Sequence, residues 1–148
     1  MNLAYHPKIR VFPRKKTHEG VFELMSKADV GVFPSRAEGW NLELLEMMSI
    51  GKPMIATNYS AHTEFCNKDN CNLIDIDSIT NAYDGIWFHN QGKWANLGDN
   101  QMEQLIYYMR TLHDKKQQSG LGVNINGVNT GLQYSWINSV KKLLKKLE

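Results

Sequence analysis

Two cysteines in 148 residues, Cys66 and Cys71, are too few for a disulfide scaffold. The run His62-x3-Cys66-x4-Cys71 offers three zinc-ligand types without a fourth and matches no common zinc module, so both cysteines read as free thiols. No stretch approaches the roughly 18 consecutive apolar residues of a membrane span. The N-terminus, M-N-L-A-Y-H-P-K, lacks the apolar core of a secretory leader. These absences place the chain in a reducing, cytoplasmic compartment. A net charge of +2, with no basic stripe before the last ten residues, speaks against nucleic acid as a partner. No Gly-x-Gly-x-x-Gly or phosphate-loop signature is present, which argues against dehydrogenases and NTPases. His6, His18, His89 and His113 are scattered, and none neighbours an obvious carboxylate.

What is present fits one soluble domain over residues 1–148, with 42% apolar and 22% charged residues. Lys8–Phe12 (K-I-R-V-F) reads as a short β-type run ended by Pro13 and the basic cluster Arg14, Lys15, Lys16. Val21, Phe22, Leu24 and Met25 have helical spacing within Glu19–Lys27, and Asp29–Phe33 reads as a buried strand closed by Pro34-Ser35. Leu42–Ile50 reads as a helix stopped by Gly51 and Pro53, followed by the strand Met54–Thr57, a helix near His62 and the strand Asn72–Ile76. Strands alternating with helices imply a parallel sheet covered on both faces, a Rossmann-like α/β fold.

Residues 78–100 break this alternation and read as a turn or hairpin excursion. Asn100 is the expected cap of a helix from Gln101 to about Lys116, with Leu105, Ile106, Met109 and Leu112 as its apolar side. Residues 117–131, rich in Gly, Asn and Gln, read as a loop. Tyr134–Leu147 reads as an amphipathic helix packed on the sheet, with Lys141, Lys142, Lys145 and Lys146 in water. Its alternative is a basic helix lying on an anionic membrane. Trp87, Trp94 and Trp136 read as core residues, with stacking on sugar rings as the alternative.

The stretch R-A-E-G-W-N-L-E-L-L-E, Arg36–Glu46, carries the chemistry. It follows the strand ending at Phe33, at the carboxyl edge of the sheet, where ligands of open α/β folds bind. Asn41 is the expected N-cap, leaving the amides of Leu42, Glu43 and Leu44 pointing out of a positive helix end suited to phosphate. Glu46, one turn inside, can accept from the vicinal hydroxyls of a ribose. Glu38 precedes the helix and Gly39 permits close approach. A carboxylate beside phosphate is repelled, so Glu38 faces a neutral polyol, and the ensemble describes a sugar nucleotide. The competing reading of Glu38 and Glu46 is exposed charge near a helix start, which is how Glu43 is read.

The run A-D-V-G-V-F-P-S-R-A-E-G-W-N-L-E-L-L-E-M-M-S-I-G-K-P-M-I-A-T resembles the donor-binding, C-terminal half of retaining GT-B glycosyltransferases. Pro-Ser, the Glu-Gly-aromatic loop, a second Glu after seven intervening residues and Gly-x-Pro occur together over residues 8 to about 77. The resemblance implies that Glu38, the candidate catalytic residue, contacts the donor sugar near the reacting centre. It implies that Ser35, Arg36, Gly39, Trp40, Asn41 and Leu42 border the sugar and phosphate, and that Glu46 binds the ribose. Val11, Phe12, Pro13 and Arg14 fall where the family packs its nucleobase. The implied partner is a UDP- or GDP-linked sugar, without a cofactor or required metal, the leaving diphosphate itself taking the acceptor proton. Asp75-Ile76-Asp77 resembles a metal-binding Asp-x-Asp, but falls after the matched region.

The family's preceding acceptor domain and its diphosphate-gripping Arg and Lys have no counterpart here, where seven residues precede Lys8. A half-enzyme that transfers slowly or not at all alone is therefore expected. Candidate partners are an acceptor-domain polypeptide, a second copy of the chain, or a membrane surface. The competing class is a non-catalytic nucleotide-binding or interaction module built on the same fold.

Overall fold

The computed structural model describes residues 6–147. Three short parallel strands, β1 (Gly31–Phe33), β2 (Met54–Thr57) and β3 (Asn72–Ile74), lie side by side in that order. Gly31 is opposite Met54 and Ile55 opposite Asn72, so the strands end level and their carboxyl edges form one rim. α1 (His18–Lys27) leads into β1, and α2 (Leu42–Ser49) crosses from β1 to β2. A single 3-10 turn, Ser60–Glu64, follows β2 near His62.

All four residues of β2 are buried, as a central strand covered on both faces requires. One face of the sheet (Met54, Ala56, Leu73) packs with Leu44, Leu45, Met47 and Met48 of α2 and with Phe65. The other (Ile55, Ile74) packs against Leu112, with Leu105 and Tyr108 beside it. Those residues belong to α3 (Asp99–Ser119). The fold is thus α/β and Rossmann-like, with helices on both faces. α2 ends as its Gly51-Lys52-Pro53 sequence demands. Gly51 takes φ +76°, its N–H donates to Met48 O (2.9 Å), and Lys52 N–H donates to Met47 O (3.1 Å).

Several sequence expectations need correction. Lys8–Phe12 forms no strand: it does not pair with the free edge of β1, and Val11 and Phe12 are exposed rather than packed on the core. The excursion after β3 is a β-hairpin, β4 (Ile79–Tyr83) against β5 (His89–Ala95). α3 starts two residues early, capped at Gly98, whose N–H donates to Gln101 Oε1 (3.1 Å). Asn100 instead donates to Asp77 Oδ2 (2.6 Å). The face of α3 turned to the sheet is Gln101, Leu105, Tyr108 and Leu112, while Ile106 and Met109 are exposed.

The Gly- and Asn-rich stretch is a helix, α4 (Ile125–Gln133), packed against α2. Asn124 caps it by accepting from Gly127 N–H (2.9 Å), and its own amide donates to Lys52 O and Asn70 O. A Cβ on Gly131 would stand 2.0 Å from Ser49 Oγ and 3.0 Å from Ser49 Cα, so glycine is what lets the two helices touch. The final helix, α5 (Trp136–Lys145), does not pack on the sheet, and none of its residues is buried. Trp87 and Trp136 are likewise exposed rather than core.

Candidate functional site

The rim formed by the ends of β1 and β2 is held by a buried polar chain. Asn41, the residue before α2, is 9% exposed and sits at φ +73°, a left-handed conformation that Asn tolerates better than most residues. Its Oδ1 accepts from Leu44 N–H (3.1 Å), so its Nδ2 must donate, and it does so to Nε2 of the fully buried His62 (2.9 Å). With Nε2 accepting, the imidazole carries its proton on Nδ1 and donates to Thr57 O (3.0 Å). Thr57 Oγ1 in turn donates to Ser35 O (2.7 Å). Next to this chain, Glu38 N–H donates to Ser60 Oγ (2.8 Å), Ser60 itself lying at φ +54°. The loops after β1 and β2 are thereby fixed to each other and to the start of α2.

Leu44 N–H is therefore not available, contrary to the sequence expectation, because Asn41 uses it. Leu45 N–H reaches the helix's first backbone acceptor, Asn41 O (3.4 Å). That leaves the amides of Leu42 and Glu43 at a helix end whose side chains are exposed.

Glu38 is half-buried, and its Oε1 accepts from Ser35 Oγ (2.7 Å). It lines a cleft of ≈ 460 Å³ between Arg36–Gly39 and the β4–β5 hairpin. Arg36 straps loop to hairpin: its O accepts from Ala95 N–H (2.7 Å), its Nε donates to Ala95 O (3.1 Å), and its guanidinium lies 4.8 Å from the centre of the Trp94 ring. Gly39 has open space where a Cβ would project. The Trp40 ring turns inward onto Phe65 and Tyr134, with centroids 5.2 and 5.3 Å away, which leaves its backbone to face the rim.

Glu46 is exposed on α2. It borders a hollow with His18, Val21 and Phe22 and another with Trp40, Leu42 and Tyr134. No residue lines both the Glu38 cleft and either Glu46 hollow: the structure brings Arg36, Glu38 and Gly39 together in the cleft, and sets Trp40 and Leu42 with Glu46 in a separate hollow along α2. Val11, Phe12, Pro13 and Arg14 are exposed and line none of these three recesses.

Thr57, Ser60 and His62 are the residues that sequence reasoning missed. Nothing local marks them, because their partners lie 5 to 22 positions away. The other candidates are committed elsewhere. Asp77 accepts from Asn100 and Gln101, which holds its carboxyl below the usual aspartate range, and Asp75 accepts from Asn58 Nδ2 (3.1 Å). Cys66 and Cys71 are buried free thiols, and the neighbouring Cys66 thiol, together with burial, pushes the Cys71 thiol up. Among the described residues no group of three His, Cys, Asp or Glu is placed to hold a metal ion.

A parallel α/β sheet with a glutamate-bearing loop and an open helix start on its carboxyl rim is a candidate ligand site, and sequence comparison gives the family. The chain belongs to the glycosyl transferases group 1 family, whose model matches residues 2–86. It is 30% identical over 92 residues to the O-antigen biosynthesis glycosyltransferase WclY of Escherichia coli, an alignment covering 56% of this chain and 26% of that protein. It is 29% identical over 114 residues to an N,N'-diacetylbacillosaminyl-diphospho-undecaprenol alpha-1,3-N-acetylgalactosaminyltransferase of Campylobacter jejuni subsp. jejuni serotype O:2, covering 77% of this chain and 24% of that protein. The chain thus spans about a quarter of the length of the curated relatives it matches.

Proposed function

We propose that the chain binds the donor of a retaining, metal-independent glycosyl transfer and works with an acceptor-binding polypeptide. The observation that carries this reading is the helix start fixed by Asn41 and His62, which leaves the amides of Leu42 and Glu43 at the end of the loop that carries Glu38. Two N–H groups without a partner among the described residues, at a positive helix end, suit the donor's diphosphate. Glu38 accepts from hydroxyls of the transferred sugar on one side. Glu46, a turn along α2, takes the ribose on the other, which directs the base toward Val11–Arg14. The leaving diphosphate takes the acceptor's proton, so the protein's task is to stabilise charge on it.

A lipid-linked glycan acceptor is part of this proposal, supported by the diphospho-undecaprenol in one relative's name and by the lysine-bearing, unburied α5, which suits an anionic membrane surface. The test is calorimetry of the chain with UDP- and GDP-linked sugars, with and without EDTA, and with Glu38→Gln and Glu46→Gln. Binding that survives EDTA and weakens about tenfold or more in each variant supports the reading. Absence of binding by every sugar nucleotide, or indifference to both substitutions, favours the non-catalytic module. Transfer assayed with the acceptor polypeptide present, and the anomer of the product read by NMR, tests retention.

A further inference from the structure

We infer that the β4–β5 hairpin and the Arg36–Gly39 loop enclose a carbohydrate subsite, in which a pyranose ring packs on Phe88 and Trp94 and hydrogen-bonds to Glu38. The inference rests on the proposed donor reading for the role of Glu38 and extends it to a wall that the family match does not cover. That match ends at residue 86, at the hairpin tip, so β5 lies beyond it.

The position is telling. β3 ends at Ile74 and α3 begins at Asp99, so residues 75–98, 24 in all, connect a strand to the next helix, where a connection of about 2–6 is usual. Long connections at the carboxyl edge of a parallel sheet are where ligand-contacting segments are found. This one is ordered and tethered. Arg36 bonds Ala95 twice, and Tyr59 OH donates to Lys93 O (3.3 Å). At the tip, Asp84 Oδ1 accepts from the amides of Ile86, Trp87 and Phe88 (2.8, 2.8 and 2.9 Å).

The enclosed space has the chemistry of a sugar site. Its ≈ 460 Å³ lies within the range of about 300–1,000 Å³ typical of small-molecule sites. Glu38, Gly39, Phe88, Gly92 and Trp94 line it. A Cβ at either glycine would meet nothing within 4 Å, so both sides of the cleft are open to a ligand. Phe88 stands edge-on to Trp94 with centroids 5.3 Å apart and remains 42% exposed. Arg36 lies over one face of the Trp94 ring, so the exposed Phe88 ring supplies the apolar face and Trp94 backs it edge-on. Apolar rings suit the C–H face of a pyranose, while the carboxylate takes its hydroxyls.

The test is a ¹H–¹⁵N NMR titration of the full chain, following the Trp94 indole N–H and the Gly92 and Lys93 amides. The probes are methyl glucoside, methyl galactoside and N-acetylgalactosamine; UDP-glucose and GDP-mannose; and UDP and GDP alone. Hairpin shifts with the free saccharides assign the ring to the acceptor. Shifts with the sugar nucleotides but not with UDP or GDP assign it to the donor's sugar. Either supports the inference, and Phe88→Ala should weaken the response about tenfold. A hairpin silent to every saccharide and sugar nucleotide overturns it, as does an equal response to UDP or GDP alone, since the aromatic pair would then be stacking a base. If nucleotides shift Leu42 and Glu43 while the hairpin stays silent, the donor reading survives and the subsite fails. Hairpin shifts with the saccharides while Leu42 and Glu43 ignore all nucleotides give the reverse. Should Phe88→Ala not fold, Phe88→Leu keeps the backbone and the volume while removing the aromatic face.

Discussion

Asn41 shows why one residue type suits the helix start. Serine or aspartate can accept from Leu44 N–H, but neither offers an amide proton to a neutral His62 while also tolerating φ +73° as readily. His62 is the centre of the arrangement: fully buried, it joins Asn41 to the backbone of Thr57. His62→Leu keeps the side chain apolar and of comparable size, but strands a buried amide donor and a buried carbonyl. Each orphaned group costs about 1–3 kcal/mol, so urea unfolding should show a loss of about 2 kcal/mol or more. A loss below about 0.5 kcal/mol would mean that water replaces the imidazole and that the helix start is not fixed by it. Glu38 and its Gly-aromatic neighbours were legible in the sequence because their meaning lies in local spacing. The His62 network was not, since it becomes visible only when two loops from different strands meet.

Elements were legible where hydrophobic periodicity and stop signals agree, as in α2 with its Gly51 and in β2, where every residue is apolar or β-branched. α4 was hidden because glycine and asparagine signal loops. In this chain Gly131 gives clearance to α2, and Asn124 and Asn70 tie α4 to the turns before β2 and β3, Asn70 Nδ2 donating to Thr130 Oγ1 (2.9 Å). Gly131→Ala should therefore lower stability by about 1–3 kcal/mol despite alanine's better helix propensity, and Ser49→Gly should recover part of the loss. A neutral or stabilising Gly131→Ala, measured by thermal unfolding, would show that α2 and α4 are not in close contact.

The hairpin carries its own pH dependence. Asp84 lies below the usual aspartate range, chiefly through the amide of Phe88 and then that of Ile86. A lowered folded value means that the tip's stabilisation is complete above the ordinary aspartate range and is lost as pH falls through the lowered value. The Ile86, Trp87 and Phe88 amide shifts should report one titration below that range, absent in Asp84→Asn; a titration at or above it would contradict the capped tip.

At the scale of the whole molecule, the three-stranded sheet, α2, α3 and α4 form the body, and α5 lies against α4 with none of its residues buried. Trp136 is 85% exposed, and no residue of α5 is buried. Deleting residues 136–148 should thus shift Tm by no more than about 2 °C while removing an apolar strip flanked by lysines. A fall of about 10 °C would show that the helix belongs to the core. Among the described residues no helix is long and apolar enough to cross a membrane. What remains to be joined to the fold is the ligand itself. The most direct measurement is a crystal structure of the chain with UDP-glucose or GDP-mannose. The expected result is a diphosphate within hydrogen-bonding distance of the Leu42 and Glu43 amides, its sugar toward Glu38 and its ribose toward Glu46. A nucleotide seated elsewhere, with the start of α2 bare, would contradict the account.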